Sequence, residues 1–299
     1  MDRSPVVVIT GASGLVGGRL RAALRARGAE LRLVSRRARA AEHDGESWVT
    51  WDDLATALDG ADAVVHLAGE PIVGSRWNDK VKRELRDSRV GTTKQLVAAL
   101  REVERRPATL VQASAVGWYG DRGDEVLAED AGIGEGFLPE LCREWEVAGH
   151  AAEAHGLRVV LLRFGIVLDP AGGALKQMLP PFKFGVGGRL GSGEQWMPWI
   201  HHADLVDLLL KSLDDASWAG AYNAVAPEPV RNVDFTKALG RTLRRPTVLP
   251  VPAFALRILF GEGAQVLLNS QRAVPAAAQA AGWQPRYADL DAALADLLG

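Results

Sequence analysis

The chain has 299 residues, more than one minimal domain needs and too few for two large independent ones. Hydrophobic residues at 47% are enough for a sizeable core, and a net charge of −2 gives no bulk attraction to nucleic acid or to anionic membranes. The single cysteine, Cys142, excludes an internal disulfide and a thiolate metal centre, and no stretch approaches the ~18 apolar residues of a membrane span.

The N-terminal apolar run is only a few residues long, too short for a secretory leader. A cytoplasmic protein that meets a small molecule is expected, with neither nucleic acid nor membrane as partner. No helix announces itself as an interface, so the oligomeric state is not legible. Metal binding has no support either, since His201 and His202 lack a third ligand at useful spacing.

In chain order, Val6–Thr10 reads as a buried strand, and 15–27 as a helix with Leu15, Val16, Leu20, Ala23 and Leu24 on one face and Gly28 as C-cap. Strands are expected at 31–35, 48–51 and 63–68, then a helix over 79–104. A strand at 110–113, a helix at 138–155 and a strand at 159–164 follow. From about Asp169 onward the Pro- and Gly-rich pattern reads as irregular backbone, and 185–193 is expected to border a ligand or to be a connecting loop. Helices are expected at 204–213, capped by Asp204, and at 233–243, 253–268 and 288–298. Buried strands alternating with helices imply a parallel sheet covered on both faces, and right-handed crossovers make a doubly wound α/β sheet the simplest topology.

The motif Thr10-Gly11-Ala12-Ser13-Gly14-Leu15-Val16-Gly17 stands after the first strand and opens the first helix. In that position Gly11 allows a tight turn, Gly14 lets backbone approach a pyrophosphate, and Gly17 lets helix and strand pack closely. The helix N-terminus offers free N–H groups to phosphate. Gly11, Ser13, Gly14, Leu15, Val16 and Gly17 are therefore expected to bind a dinucleotide. An NAD-selective site carries an acid about twenty residues on; here Ser35 and Arg36 stand there, and a guanidinium pairs with the 2′-phosphate of NADP.

The run Asp62-Ala63-Val64-Val65-His66-Leu67-Ala68-Gly69 resembles a strand of the extended short-chain dehydrogenases/reductases. Further motifs resemble one branch: the atypical epimerase-like proteins with a family-specific C-terminal module, within the NAD-dependent epimerase/dehydratase superfamily. They include Gly69-Glu70-Pro71-Ile72, Ser88-Arg89-Val90-Gly91-Thr92-Thr93, Trp118-Tyr119-Gly120 and Pro198-Trp199-Ile200-His201. The resemblance covers essentially the whole chain. It implies a Rossmann domain at 1–230 and a smaller substrate-covering C-terminal module at 245–299. It also implies cofactor contacts at Ser35, Arg36, Asp52, Leu67, Ala68, Gly69, Glu84 and Arg89.

Extended short-chain enzymes carry a Tyr-x-x-x-Lys pair, whose Lys lowers the Tyr pKa one helical turn away. None of Tyr119, Tyr222 and Tyr287 has a Lys four residues on, and the expected places fall near Leu141 and Trp145. Ser114 and Tyr119 are the remaining candidate catalytic residues. Trp118, Trp145, Trp196 and Trp199 line an apolar cleft or belong to the core. Two functions follow: an NADP(H)-dependent oxidoreductase or epimerase-like enzyme with a non-standard proton donor, or a non-catalytic NADP(H)-binding regulator or sensor.

Overall fold

The computed structural model describes residues 4–299. Strand β1 (Val6–Thr10) is followed by α1 (Leu15–Ala26), β2 (Glu30–Ser35) and β3 (Glu46–Thr50). Helix α2 (Leu54–Leu58) leads to β4 (Ala63–His66), and α3 (Asp79–Arg86) and α4 (Thr92–Ala99) lead to β5 (Thr109–Ala115). After β6 (Val126–Leu127), α5 (Phe137–His150) precedes β7 (Arg158–Phe164) and β8 (Ile166–Leu168). Then come α6 (Gly173–Lys183), β9 (Trp196–Met197), β10 (Trp199–His201), α7 (His202–Asp214) and β11 (Gly220–Ala224). The chain ends with β12 (Val230–Arg231), α8 (Asn232–Leu243), α9 (Ala253–Phe260), α10 (Gln265–Leu268), β13 (Arg272–Ala273), α11 (Ala276–Ala280) and α12 (Leu290–Leu298).

Seven strands form one parallel sheet in the order β3-β2-β1-β4-β5-β7-β11. This is the doubly wound Rossmann arrangement. Side chains alternate across it: Val7 and Ile9 face a core built with Leu20 and Leu24 of α1 and Leu205 and Leu209 of α7. Val6 and Val8 face the opposite core with Leu54, Leu58 and Leu96. Strand order reverses between β1 and β4, and open α/β sheets hold their ligands in the crevice at such a point, outside the carboxyl ends of the strands.

The C-terminal region packs at that same end. Trp77 N–H donates to Phe260 O (3.1 Å), and Gly263 lies under the Trp77 ring, where a Cβ would approach within 2.9 Å. Gln271 Nε2 donates to Gly120 O (3.0 Å) and Ser270 N–H to the Asp121 carboxylate (3.0 Å).

Four local expectations are corrected. The helix expected over 79–104 is interrupted by a π-turn, Asp87–Gly91, which re-aims Ser88 and Arg89. The fourth strand ends sooner than expected, β4 stopping at His66 rather than 68. The segment after Asp169 contains helix α6, with Pro180 and Pro181 in its last turn, so prolines there concealed a helix. The α7 cap is His201, whose Nδ1 accepts from Ala203 N–H (3.1 Å); Asp204 is buried and instead accepts from the amides of Arg286 (2.7 Å) and Tyr287 (3.0 Å). Asp204 therefore ties the C-terminal segment to α7.

Candidate functional site

The glycine turn is shaped by close approach. Gly11 has φ +71°, and a Cβ there would lie 2.6 Å from Leu67 O; at Gly17 a Cβ would lie 2.3 Å from Gly11 O. Replacing Gly17 with Ala is expected to destabilise the fold by about 1–3 kcal/mol and to displace the turn. Thermal unfolding and nucleotide titration of Gly17→Ala check this; an unchanged Tm would show that the turn relaxes freely. Helix α1 begins after Gly14 with no capping side chain and no acid in its first turn. Its first-turn amides lack intrahelical acceptors, and its dipole is uncompensated by any nearby carboxylate of the helix. Ser13 and Gly14 are exposed, so the turn opens to solvent.

Arg36 follows β2, on the neighbouring strand, and is 82% exposed. Its guanidinium pairs with the Glu70 carboxylate (2.5 Å), which follows β4. Ser35 Oγ donates to Arg37 O. Asp52 is exposed on the turn after β3. Leu67 and Ala68 run beside the turn, their amides donating to Thr10 O (3.2 Å) and Thr10 Oγ1 (3.3 Å). Gly11, Ser13, Gly14, Ser35, Arg36, Asp52, Leu67, Ala68 and Gly69 thus gather along the carboxyl ends of β1 to β4.

Arg89 belongs to the same rim. It donates to Glu70 O (2.8 Å) and Leu85 O (3.3 Å), and its guanidinium lies 5.4 Å from the Trp145 ring centroid. Burial holds its pKa below the ordinary arginine value. Glu84 is exposed on α3 and pairs with Lys80 (3.8 Å), so its carboxylate is engaged along the helix face.

Ser114 and Tyr119 are brought together, but inside the protein. Ser114 Oγ donates to Glu146 Oε1 (2.6 Å), and Arg163 grips both Glu146 oxygens at 2.9 Å. Arg163 also donates to Tyr119 Oη (3.1 Å), whose single proton points to Asn223 Oδ1 (2.8 Å) with Ala128 O (3.1 Å) as a second, shared acceptor. Ser114 is 2% exposed and Tyr119 fully buried. Burial raises the Tyr119 pKa, with Arg163 opposing it. A substitute acid must reach a substrate oxygen; the Tyr119 hydroxyl is instead spent on three protein partners. Trp118 is half-buried against Arg163, whose guanidinium lies 4.1 Å from its ring centroid, while Trp199 is core.

The fold and the site place the chain among known proteins. A family model for the NAD dependent epimerase/dehydratase family matches residues 7–224. The chain belongs to this family. Residues 251–297 match a domain of unknown function, DUF1731. An epimerase family protein of Mycobacterium tuberculosis is 43% identical over 295 residues, covering 97% of this chain and 96% of the relative. The chloroplastic SDR39U1 homolog of Arabidopsis thaliana is 41% identical over 94% of this chain and 83% of its own. The crystal structure of human epimerase family protein SDR39U1 (isoform 2) with NADPH superposes with a TM-score of 0.90 at 35% identity, over 98% of this chain and 99% of that one. Among the described residues no helix is long and apolar enough to cross a membrane.

Within the epimerase family the departure in α5 now has a physical description. Leu141 and Trp145 are both buried in the cluster with Trp77, Leu85 and Leu138. Cys142, one residue on from Leu141, is buried with its thiol pushed up to about 12 by desolvation, so it is no thiolate nucleophile.

The sequence reading missed the partners that hold the site. Glu146 is one: an acid four residues after Cys142 on the buried side of α5 was the available signal. His66 is another. Thr93 Oγ1 donates to Arg89 O (2.8 Å), so it accepts from His66 Nε2–H (2.9 Å), leaving Nδ1 to accept from the Thr10 hydroxyl (2.6 Å). This bridge ties the glycine turn to the π-turn that carries Arg89.

Burial pushes the His66 pKa down to about 3, below the unfolded value of about 6.5. The unfolded chain therefore takes up the proton first as pH falls. The contribution of neutral His66 is complete above pH about 6.5 and lost progressively toward the folded pKa. His201, pushed down to about 4, acts in the same direction. Chemical unfolding of His66→Gln at neutral and acid pH is expected to show a shallower acid loss than wild type; an identical slope would remove His66 as a cause.

Proposed function

We propose that this chain binds NADP(H) and acts on a small molecule as an oxidoreductase or epimerase-like enzyme of the cytoplasm, without the Tyr-x-x-x-Lys pair. The carrying observation is the uncapped N-terminus of α1 at an open glycine turn, with exposed Arg36 just after the neighbouring strand β2. These residues fit a dinucleotide: free first-turn amides suit a pyrophosphate, and an arginine without a neighbouring acid on its own strand end suits a 2′-phosphate. The human relative crystallised with NADPH supports the same cofactor. Such a cofactor, when bound, supplies or accepts a hydride.

In this reading Ser114 and Tyr119 are positioning residues. They orient Arg163 and Glu146 beneath the carboxyl ends of β5 and β7 and transfer no proton to substrate. The C-terminal region, closing on Trp77 and Gly120, excludes water from the crevice and gives a substrate walls to fit. A second reading, a non-catalytic NADP(H)-binding sensor, is favoured by one observation: Leu141 and Trp145 leave α5 without a protonatable side chain at those positions.

Calorimetric titration with NADPH and NADH tests the binding reading, and absence of binding by either would overturn it. A screen of carbonyl and hydroxyl compounds following NADPH consumption or NADP reduction separates enzyme from sensor. Turnover retained in Ser114→Ala would agree with a positioning role for that residue.

A further inference from the structure

Net charge −2 conceals a segregation. Between Asp169 and Glu194, and again between Asp234 and Glu262, the chain has no carboxylate side chain. The first segment carries Lys176, Lys183 and Arg189; the second carries Lys237, Arg241, Arg244, Arg245 and Arg257. The fold sets these two segments side by side. Gly191 N–H donates to Val251 O (2.8 Å), Val251 N–H to Arg189 O (2.8 Å), and Arg245 Nε to Lys183 O (2.9 Å). Lys237 and Arg241 pair with Asp234 and Asp291, whereas Lys183, Arg189, Arg244, Arg245 and Arg257 have no ion-pair partner among the described residues.

The same two segments expose apolar side chains. Phe184 is 84% exposed and Val248 77%, with Val186 and Leu249 beside them; on α9, Phe254, Ile258 and Leu259 are each more than 60% exposed. Only three other large hydrophobics are exposed among the described residues, Val126, Ile133 and Val147, so the apolar exposure is concentrated here. Within the second segment a crevice of about 460 Å³ is lined by Lys237, Arg241, Arg244, Arg245, Pro246 and Thr247.

We propose that this face docks on an anionic phospholipid surface, the phosphate headgroup entering the basic crevice and the side chains of α9 and residues 184–186 entering the acyl boundary. Apolar side chains fringed by unpaired Lys and Arg are what an interfacial, non-spanning attachment requires. A second copy is a poorer occupant. A two-fold contact brings each patch against itself, which would set the unpaired cations against their own kind. The inference stands on charge and exposure and does not depend on the cofactor reading.

The test is co-sedimentation of the full chain with vesicles of phosphatidylcholine containing phosphatidylglycerol, against phosphatidylcholine alone. Two double variants accompany it, Phe254→Glu with Ile258→Glu, and Arg244→Glu with Arg245→Glu, each checked for folding by thermal unfolding. Binding to the anionic vesicles only, weakened by salt and reduced about tenfold or more in both variants, is the expected result. No sedimentation with anionic vesicles, or equal binding by the folded apolar variant, overturns the proposal. A dimer in light scattering that the apolar variant dissolves, without vesicle binding, assigns the face to a second copy and overturns it too.

Discussion

Reversing the charge of Arg36 is expected to abolish the preference for NADPH over NADH. A hydrogen bond to a charged partner contributes about 1.5–3 kcal/mol, so Arg36→Glu is expected to lose roughly 10–100-fold in NADPH affinity while NADH binding changes little. The effect on NADPH includes new repulsion between Glu and phosphate and belongs at the upper end. Glu70 sharpens the test. In the structure it already holds Arg36 at 2.5 Å, so a 2′-phosphate must draw the guanidinium away from a carboxylate. Both partners are well exposed, and such pairs contribute only about 0–1 kcal/mol. Glu70→Gln is therefore expected to tighten NADPH binding by a few-fold at low salt, and less as salt rises. Paired titrations of wild type and both variants check this. Equal loss of both cofactors in Arg36→Glu would mean a folding defect or adenine stacking rather than phosphate recognition.

The features legible in sequence are those set by one local rule. The glycine turn was legible because strand, turn and helix are contiguous, and Arg36 because it closes the next strand of the same unit. The parallel sheet was legible because its strands are buried on both faces. Long-range pairs were not. Nothing near Asp204 in sequence indicates that it accepts from the amides of residues 286 and 287, and nothing near Glu146 indicates Arg163 seventeen residues away. The π-turn at Asp87–Gly91 adds a residue to a helical turn without a Gly or Pro to mark its start. Tyr119 looked available because a tyrosine after β5 is chemically suited to act as an acid. Its burial depends on Asn223 and Arg163, contributed by distant strands.

Removing Arg163 is expected to be the most destabilising single change at the site. Glu146 is 4% exposed, and its two oxygens meet only Arg163 and the Ser114 hydroxyl among the described side chains. Arg163→Met leaves that carboxylate buried and nearly alone, at a cost of about 3–5 kcal/mol. In a chain of this size that lowers Tm by roughly 10 °C. Ser114→Ala leaves the ion pair intact and is expected to cost only about 1–2 kcal/mol. Glu146→Leu combined with Arg163→Met removes both charges at once and is expected to recover most of the lost stability, because a buried pair replaced by apolar groups of similar volume is often neutral. Thermal unfolding of the three variants distinguishes the cases. If the double variant is as unstable as Arg163→Met, the defect lies in the lost contacts of Arg163 to Tyr119 and Glu129 rather than in a stranded charge. If it recovers stability yet the crevice no longer binds NADPH, the buried pair serves the geometry of the strand ends and not the fold as a whole.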